Sequence, residues 1–325
     1  MIDTFTFILD EKQVQYYKGS VTHVAAALVG GNTLTHMRMR LRYKKQSWII
    51  LDEANFTSAS QWCWLARFQF VGCKFLICGD FAGQFLPVTS QYESFDYDAL
   101  EFSNFMHELC KGLHVDLTSY FRGNDKAHHE FVKSLYPGRS RDLSLPQQVK
   151  AAKMRYKRTD AAPHYSLVMA HRRREQINAQ ENQRLAPADA VLLTPPNVSK
   201  RRMANRPQPM RVWPGLKLLG CVTISDEKTT NGMEYEVLGT TGTTVLLRKL
   251  DPSRKQEHGK AFELTHEETA LRMRLQHALV YYSSEGRTFR DGLCVLYDTK
   301  HRYFSRRHLI VGLSRCGEGK DVQVA

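Results

Sequence analysis

Two stretches of this chain carry side chains of the type and spacing that hydrolyse a nucleotide. Trp48-Ile49-Ile50-Leu51 runs without a polar residue into Asp52-Glu53-Ala54. Lys74-Phe75-Leu76-Ile77-Cys78 runs into Gly79-Asp80 and on through Phe81-Ala82-Gly83-Gln84-Phe85-Leu86-Pro87-Val88. Continuous apolar runs of this length read as strands buried on both faces, as in parallel sheets. Acids at the carboxyl ends of such strands face the crevice where α/β sheets bind ligands. There Asp52 would hold Mg²⁺ through water, and Glu53 would orient and deprotonate an attacking water. Asp80 and Gln84, from the next strand, would report on a γ-phosphate. A buried strand with a solvated acidic cap is the simpler reading of the first stretch alone. The second stretch, Gly-Asp-x-x-x-Gln-x-x-Pro-Val at one crossover's distance, shifts the balance toward the nucleotide site.

The elements that must position these acids follow from the apolar pattern. Residues 58–70 form the crossover between the two strands, and a right-handed strand-helix-strand unit puts both acid ends on one sheet edge. Residues 2–18 read as a helix with Phe5, Ile8 and Leu9 on one face. Residues 21–29 are a short apolar segment ending in Gly30-Gly31. A helix at 102–110 and a strand at 113–117 follow, and the first unit closes near Gly123. Residues 127–156 read as largely helical, 165–170 as strand, 171–184 as a basic helix and 199–210 as a Pro- and Arg-rich loop. Between 212 and 264 the texture changes to short β-prone runs (215–221, 234–238, 243–249) between Gly and Asp turns, the pattern of a small β-barrel inserted in a larger domain. Strands at 276–282, 293–297 and 322–324 and a helix at about 303–315 restore the α/β alternation. The expected fold class is α/β: two parallel-sheet domains, residues 1–125 and 126–325, the second carrying a barrel-like insertion at about 212–270.

Composition sets the context. At 325 residues and 42% hydrophobic, the chain has the make-up of a folded protein of two ordinary domains. Its 46 Lys and Arg against 33 acids leave a net charge of +13, a surplus that favours a polyanionic partner. The basic residues are dispersed (Arg38 to Lys45, Arg155 to Arg158, Arg172 to Arg174, Lys200 to Arg202, Arg306 and Arg307), which suits a groove lined from several elements. The seven cysteines form no CxxC pair, and an odd count without a signal peptide argues for a reducing, intracellular compartment. No apolar stretch approaches the roughly 18 residues of a membrane helix. The thirteen histidines make no HExxH or Cys/His metal spacing, and His128-His129 reads as a helix-surface pair.

Together these segments resemble superfamily-1 helicases, in particular the RecD/Pif-like branch, over nearly the whole chain. Residues 48–54 are similar to the Walker B motif and residues 74–88 to the third helicase motif. Ala25-Ala26-Ala27-Leu28-Val29-Gly30-Gly31-Asn32-Thr33 is similar to motif Ia, with His36 one residue later than the family pattern. That resemblance implies strand contacts at Gly31, Thr33 and His36. Leu117-Thr118-Ser119-Tyr120-Phe121-Arg122 resembles motif IV, making Arg122 a γ-phosphate sensor. Leu309-Ile310-Val311-Gly312-Leu313-Ser314-Arg315 is close to motif VI, making Arg315 the arginine finger. A planar guanidinium suits that role because it stabilises charge spread over phosphoryl oxygens. Residues 170–178, which include Arg172, and Asn231-Gly232 with Val237 also fall where the family has motif-like segments. Tyr282-Ser283-Ser284-Glu285-Gly286-Arg287-Thr288 stands where the family's motif V has a His-Lys-Ser-Gln-Gly core. Ser284 and Thr288 fit as strand contacts and Gly286 as a nucleotide contact; the His, Lys and Gln positions differ.

The resemblance implies two RecA-like domains of the P-loop NTPase type with an SH3-like insertion. It further implies ATP and Mg²⁺ as cofactors and single-stranded or forked DNA as partner, engaged by a monomer moving 5′→3′. Tyr43, Tyr120 and Tyr282 are candidates for base stacking. No GxxxxGK[ST] occurs in the sequence; Gly317-Glu318-Gly319-Lys320-Asp321 has the wrong spacing. A P-loop cradles phosphates with backbone N–H groups and a Lys. If residues 2–18 are the helix that follows it, the loop lies just before Met1 and the chain is an N-terminally truncated form. Two other readings stay open: an RNA helicase of a positive-strand virus, and a nucleic-acid-binding module without turnover. Competition between DNA and RNA single strands separates the first. The second requires salt-sensitive strand binding with no ATPase, so strand-stimulated hydrolysis by residues 1–325 excludes it.

Overall fold

A computed structural model describes residues 1–40, 47–138, 143–196, 207–224, 229–251, 259–290 and 292–325, without the side chain of Arg40. Arg42, Tyr43, Lys44 and Lys45, and Lys200 to Arg202, lie outside the described residues. Two compact units are present: Met1–Phe121 with His129–Arg141 and Arg306–Val311, and Arg122–His128 with Asp142–Ser305 and Gly312–Ala325.

Unit 1 is built on four parallel strands in the order β2-β1-β3-β4: β1 (Tyr16–Ser20), β2 (Asn32–Thr33), β3 (Trp48–Asp52) and β4 (Lys74–Ile77). The apolar run in β3 leaves Ile49, Ile50 and Leu51 at most 1% exposed, so both faces of the sheet are covered. Around it lie α1 (Ile2–Glu11), α2 (His23–Leu28), α3 (Leu34–Arg40), α4 (Ala59–Ala66) and α5 (Asn104–Leu109). The N-terminal helix is shorter than the apolar pattern suggests: it stops at Glu11, and residues 16–20 pair with β3 in register Tyr16↔Trp48 to Ser20↔Asp52. Gln13, with φ 53°, makes the turn between them. The crossover α4 opens on a capping box, Ser58 with Gln61. No strand forms at 113–117. Leu113, Val115 and Leu117 are 70–80% exposed, and no described residue offers that segment a ladder partner.

Unit 2 holds a second parallel sheet in the order β13-β5-β14-β15: β5 (Tyr165–Val168), β13 (Ala278–Val280), β14 (Cys294–Leu296) and β15 (Val322–Val324). α7 (Leu145–Arg155) packs on β15, and α8 (His171–Leu185) packs on β5 and β13. Of α6 (Lys126–Ser134) and α10 (Arg306–Ser314), residues 126–128 and 312–314 belong to this unit and the rest to unit 1. The β-rich stretch is a five-stranded antiparallel sheet, β11-β10-β9-β8-β12, made of β8 (Lys217–Gly220), β9 (Glu234–Thr240), β10 (Thr244–Lys249), β11 (Ala261–Thr265) and β12 (Met273–Leu275), with α9 (His266–Arg272) between the last two. Strands β9 and β10 alternate buried and half-exposed residues, as a sheet with one wet face does. A two-stranded ribbon, β6 (Val191–Leu193) with β7 (Met210–Val212), leads into it. No helix among the described residues is long and apolar enough to cross a membrane.

The end of α2 shows how tightly unit 1 is drawn together. Gly30, at φ 62°, ends the helix in a Schellman turn: its N–H donates to the Ala27 carbonyl and that of Gly31 to the Ala26 carbonyl. Gly31 then passes so close to β1 that a Cβ there would sit 2.4 Å from the Lys18 carbonyl oxygen. Backbone cannot yield as a flexible side chain can. We therefore expect Gly31→Ala to destabilise the fold by about 1–3 kcal/mol, read as a lower urea midpoint at unchanged slope.

Candidate functional site

The parallel register brings the ends of three strands to one edge of unit 1. Ser20 pairs with Asp52, and Leu51 with Ile77. Two backbone bonds lock the turn that follows: the Cys78 N–H donates to the Leu51 carbonyl (2.8 Å) and the Ala54 N–H to the Cys78 carbonyl (2.9 Å). Between them Glu53 adopts the left-handed conformation, φ 50° and ψ 44°. For a non-glycine residue this stores of order 1–2 kcal/mol, and such strain concentrates at functional positions. It turns the backbone so that Asp52 and Glu53 do not simply alternate across the sheet. Gly79 permits the close approach, since a Cβ there would lie 3.1 Å from the Ala54 and Asn55 nitrogens.

Electrostatics mark the same edge. Burial pushes the Asp52 carboxyl above its ordinary value, and the Glu53 N–H pulls it partly back. Burial also pushes the Cys78 thiol up to about 12, with the Asp52 charge adding and the Met1 amino group opposing. Several buried oxygens of unit 1 have no hydrogen-bond partner among the described residues: Ser20 Oγ, Asn55 Oδ1, Thr57 Oγ1 and Gln84 Oε1. Such atoms cost about 1–3 kcal/mol each unless water or a ligand meets them. Mg²⁺ prefers oxygen ligands and retained waters. The carboxylate of Asp52, disfavoured by its own burial, and the Ser20 hydroxyl beside it fit that ion.

Asp80 is held on both oxygens. Its Oδ1 accepts the Gly83 N–H (2.8 Å), and its Oδ2 accepts the Tyr136 hydroxyl (2.6 Å). The Tyr136 ring covers Gly83 so closely that a Cβ there would fall 2.4 Å from it. Arg307 donates to the carbonyls of Phe81 (3.1 Å) and Gln84 and to the Asp98 carboxylate (2.5 Å). Asn55 Nδ2 donates to the Phe85 carbonyl (3.1 Å). Three side chains from outside it, Asn55, Tyr136 and Arg307, thus fix the loop that carries Gln84. Ser20, Asn55, Tyr136 and Arg307 escaped the sequence reading. Only Asn55, just past Asp-Glu-Ala, had a positional signal; the others arrive through pairing and packing.

Thr33 Oγ1 accepts the His36 N–H at 3.2 Å, which starts α3; Thr33, His36 and Gly31 are half-buried. Tyr120 stacks on His129, ring centroids 4.2 Å apart. In unit 2, Arg122 donates to the Ser314 carbonyl. Arg315 is 1% exposed and donates to Ser314 Oγ (3.0 Å) and the Arg287 carbonyl (3.5 Å), while its own carbonyl accepts the Phe289 N–H (2.8 Å). Ser284 is buried and donates to the Tyr281 carbonyl (2.6 Å); Gly286 has φ 70°; Tyr282 and Thr288 are half-buried. Unit 2 therefore gathers Arg122, Arg315 and the 284–288 loop about the end of α10. Arg172 is exposed, whereas Arg174 is buried with Glu175 (3.1 Å) and His171 (3.0 Å). Burial brings Arg274 down to about 10, with the Arg174 and Arg287 charges adding. His128 is not a surface residue: it is fully buried, its ring held by the Tyr156 hydroxyl (2.8 Å) and the Leu313 carbonyl (3.2 Å).

The direction of the Asp52 shift has a sign that can be measured. A carboxyl whose folded pKa is raised favours the folded state at low pH, and that contribution is lost as pH rises through the folded pKa. We expect Asp52→Asn, without nucleotide, to be more stable than the parent at neutral pH. The difference should shrink as pH falls toward the ordinary carboxylate value of 3.8, read from urea midpoints across pH.

No protein-family model matches the chain, and no curated protein matches its sequence. Solved structures do. The Pif1 helicase from Candida albicans superposes with a TM-score of 0.67 at 16% identity, covering 99% of this chain and 87% of that one. Bacteroides Pif1 bound to single-stranded DNA gives 0.65 at 17%, covering 99% and 85%. A Bacteroides Pif1 complex with ADP-AlF3 and single-stranded DNA gives 0.61 at 17%, covering 95% and 82%. At this identity the likeness concerns architecture: the chain has the mixed α/β fold with parallel sheets of the RecA-like domains of Pif1 helicases.

Proposed function

We propose that this chain is the greater part of an ATP-dependent DNA helicase that couples ATP hydrolysis to 5′→3′ movement along a single strand and to duplex unwinding. The observation that carries the reading is the half-buried, strained Asp52-Glu53 turn at the carboxyl edge of a parallel sheet, beside unpartnered buried oxygens. Glu53 takes the proton of the attacking water, and Gln84, fixed by Arg307, senses the terminal phosphate. Asp52 would hold Mg²⁺, which would supply neutralising charge to the phosphoryl oxygens. Arg122 and Arg315 contribute guanidinium charge from residues 126–325 and their border, the second RecA-like domain of this reading. Gly286 contacts the nucleotide. Gly31, Thr33, His36, Arg172, Ser284 and Thr288 contact the strand, and the five-stranded sheet, as an SH3-like barrel, helps to hold it. The protein works as a monomer on single-stranded or forked DNA, in replication or repair. The Bacteroides relatives bound to single-stranded DNA and to ADP-AlF3 support these ligands.

The centre also needs a phosphate-cradling loop, which residues 1–325 do not contain. A loop that enters ahead of Met1 would supply it, and the reading frame upstream tests this: no G-x-x-G-K-[ST] there would sink this part. In the chain with that loop, Glu53→Gln should cut strand-stimulated hydrolysis by about 10²–10⁴ while nucleotide still binds. Turnover near the parent's would overturn the assignment. The absent loop and the altered 282–288 segment favour a second reading, a strand-binding module without turnover. Salt-sensitive DNA binding by residues 1–325 with no hydrolysis, even once the upstream sequence is restored, would select it.

A further inference from the structure

Unit 2 contains a groove of about 770 Å³ whose lining shares no residue with the sites above. One wall is α7 with Lys157, two residues past its end, and the other is drawn from the segment 299–304. Along α7, Leu145, Val149 and Lys153 form one row at helical spacing, and Pro146, Lys150 and Met154 form the next. Val149 and Phe304 are buried in the floor, 9% and 5% exposed, while Met154 stands 66% exposed. The rim carries five cations, Lys150, Lys153, Lys157, Lys300 and Arg302, and no carboxylate among the described residues lines the groove. None of the five has an ion-pair partner among the described residues; Arg302 lies over the Tyr303 ring at 4.5 Å.

Charge alone would suit a nucleic acid strand, but strand-binding grooves pair charge with open aromatic faces on which bases stack. Here Phe304 is buried with its ring in edge contact with Tyr281, centroids 5.6 Å apart. His301 is tilted against Tyr303, and its Nδ1 accepts the Tyr303 N–H. What the groove offers instead is aliphatic surface at helical spacing with an adaptable methionine, bordered by unpaired cations. An amphipathic acidic helix complements that pattern.

We propose that this groove docks an acidic segment of a partner protein, bound as a helix along α7. Its aliphatic side chains rest on Val149 and Phe304, and its carboxylates meet the five cations. This rests on none of the nucleotide chemistry above.

The test uses the full chain and a fluorescein-labelled peptide of about twelve residues of Glu and Leu, with Leu repeating at helical spacing. Its binding is read by anisotropy at about 0.15 M salt. Two further probes carry the same charge: the peptide with Ser for every Leu, and an oligothymidylate. The Glu/Leu peptide should bind saturably, the Ser peptide at least about tenfold more weakly. Lys150→Glu with Lys153→Glu and Lys300→Glu should weaken peptide binding by at least about tenfold at an unchanged melting temperature. Met154→Asp should weaken peptide binding and leave the oligothymidylate unaffected. No saturable binding, equal affinity for the Ser peptide, or an oligothymidylate that displaces the peptide from the groove would each overturn the proposal.

Discussion

The seating of β3 between β1 and β4 is the constraint from which the candidate centre follows. A strand buried on both faces must be apolar along its length, so its first polar residues can appear only where it leaves the sheet. In β3 those residues are Asp52 and Glu53, and parallel pairing places Ser20 and the 78–84 loop at the same edge. Two hydrogen bonds between the turn and the end of β4 then hold Glu53 in a backbone conformation it would not choose alone. The partial burial that raises Asp52 comes from the same geometry.

Unit 2 meets an opposite requirement, since its long helix is almost wholly polar. α8 turns Arg174, Asn178 and Asn182 inward at four-residue spacing, each at most 4% exposed. Asn178 accepts the Ala278 N–H (2.7 Å) and donates to the Ala278 carbonyl (3.2 Å). Asn182 does the same with Arg211, at 2.7 and 2.8 Å. These paired bonds tie the helix to the entry of β13 and to β7, so its two buried asparagines are satisfied rather than stranded. Arg287 makes a comparable link, donating to the Gly232 carbonyl and to Glu234 at 2.9 Å. The 283–289 loop is thereby attached to the antiparallel sheet.

Local patterning decided a great deal of this by itself. The apolar runs of β3 and β4, the acids that end them, the β-rich texture after residue 212 and the strands at 165–168, 294–296 and 322–324 were legible because burial on two faces or one leaves a direct imprint on residue type. Where the sequence misled, long-range pairing was the cause. Residues 16–20 continue the helical pattern of α1 but are taken by β3, whose ladder bonds outweigh a weak local preference. Residues 113–117 have the alternation of a strand, yet a strand exists only with a partner. Residue types determined which groups could do the chemistry. The tertiary structure decided that Asp80 is occupied by Tyr136 and Gly83, that Arg307 fixes Gln84, that Arg315 is buried against the 287–289 backbone, and that Ser20 faces Asp52. Those relations join residues tens to hundreds of positions apart, and only packing, not local propensity, brings such groups together.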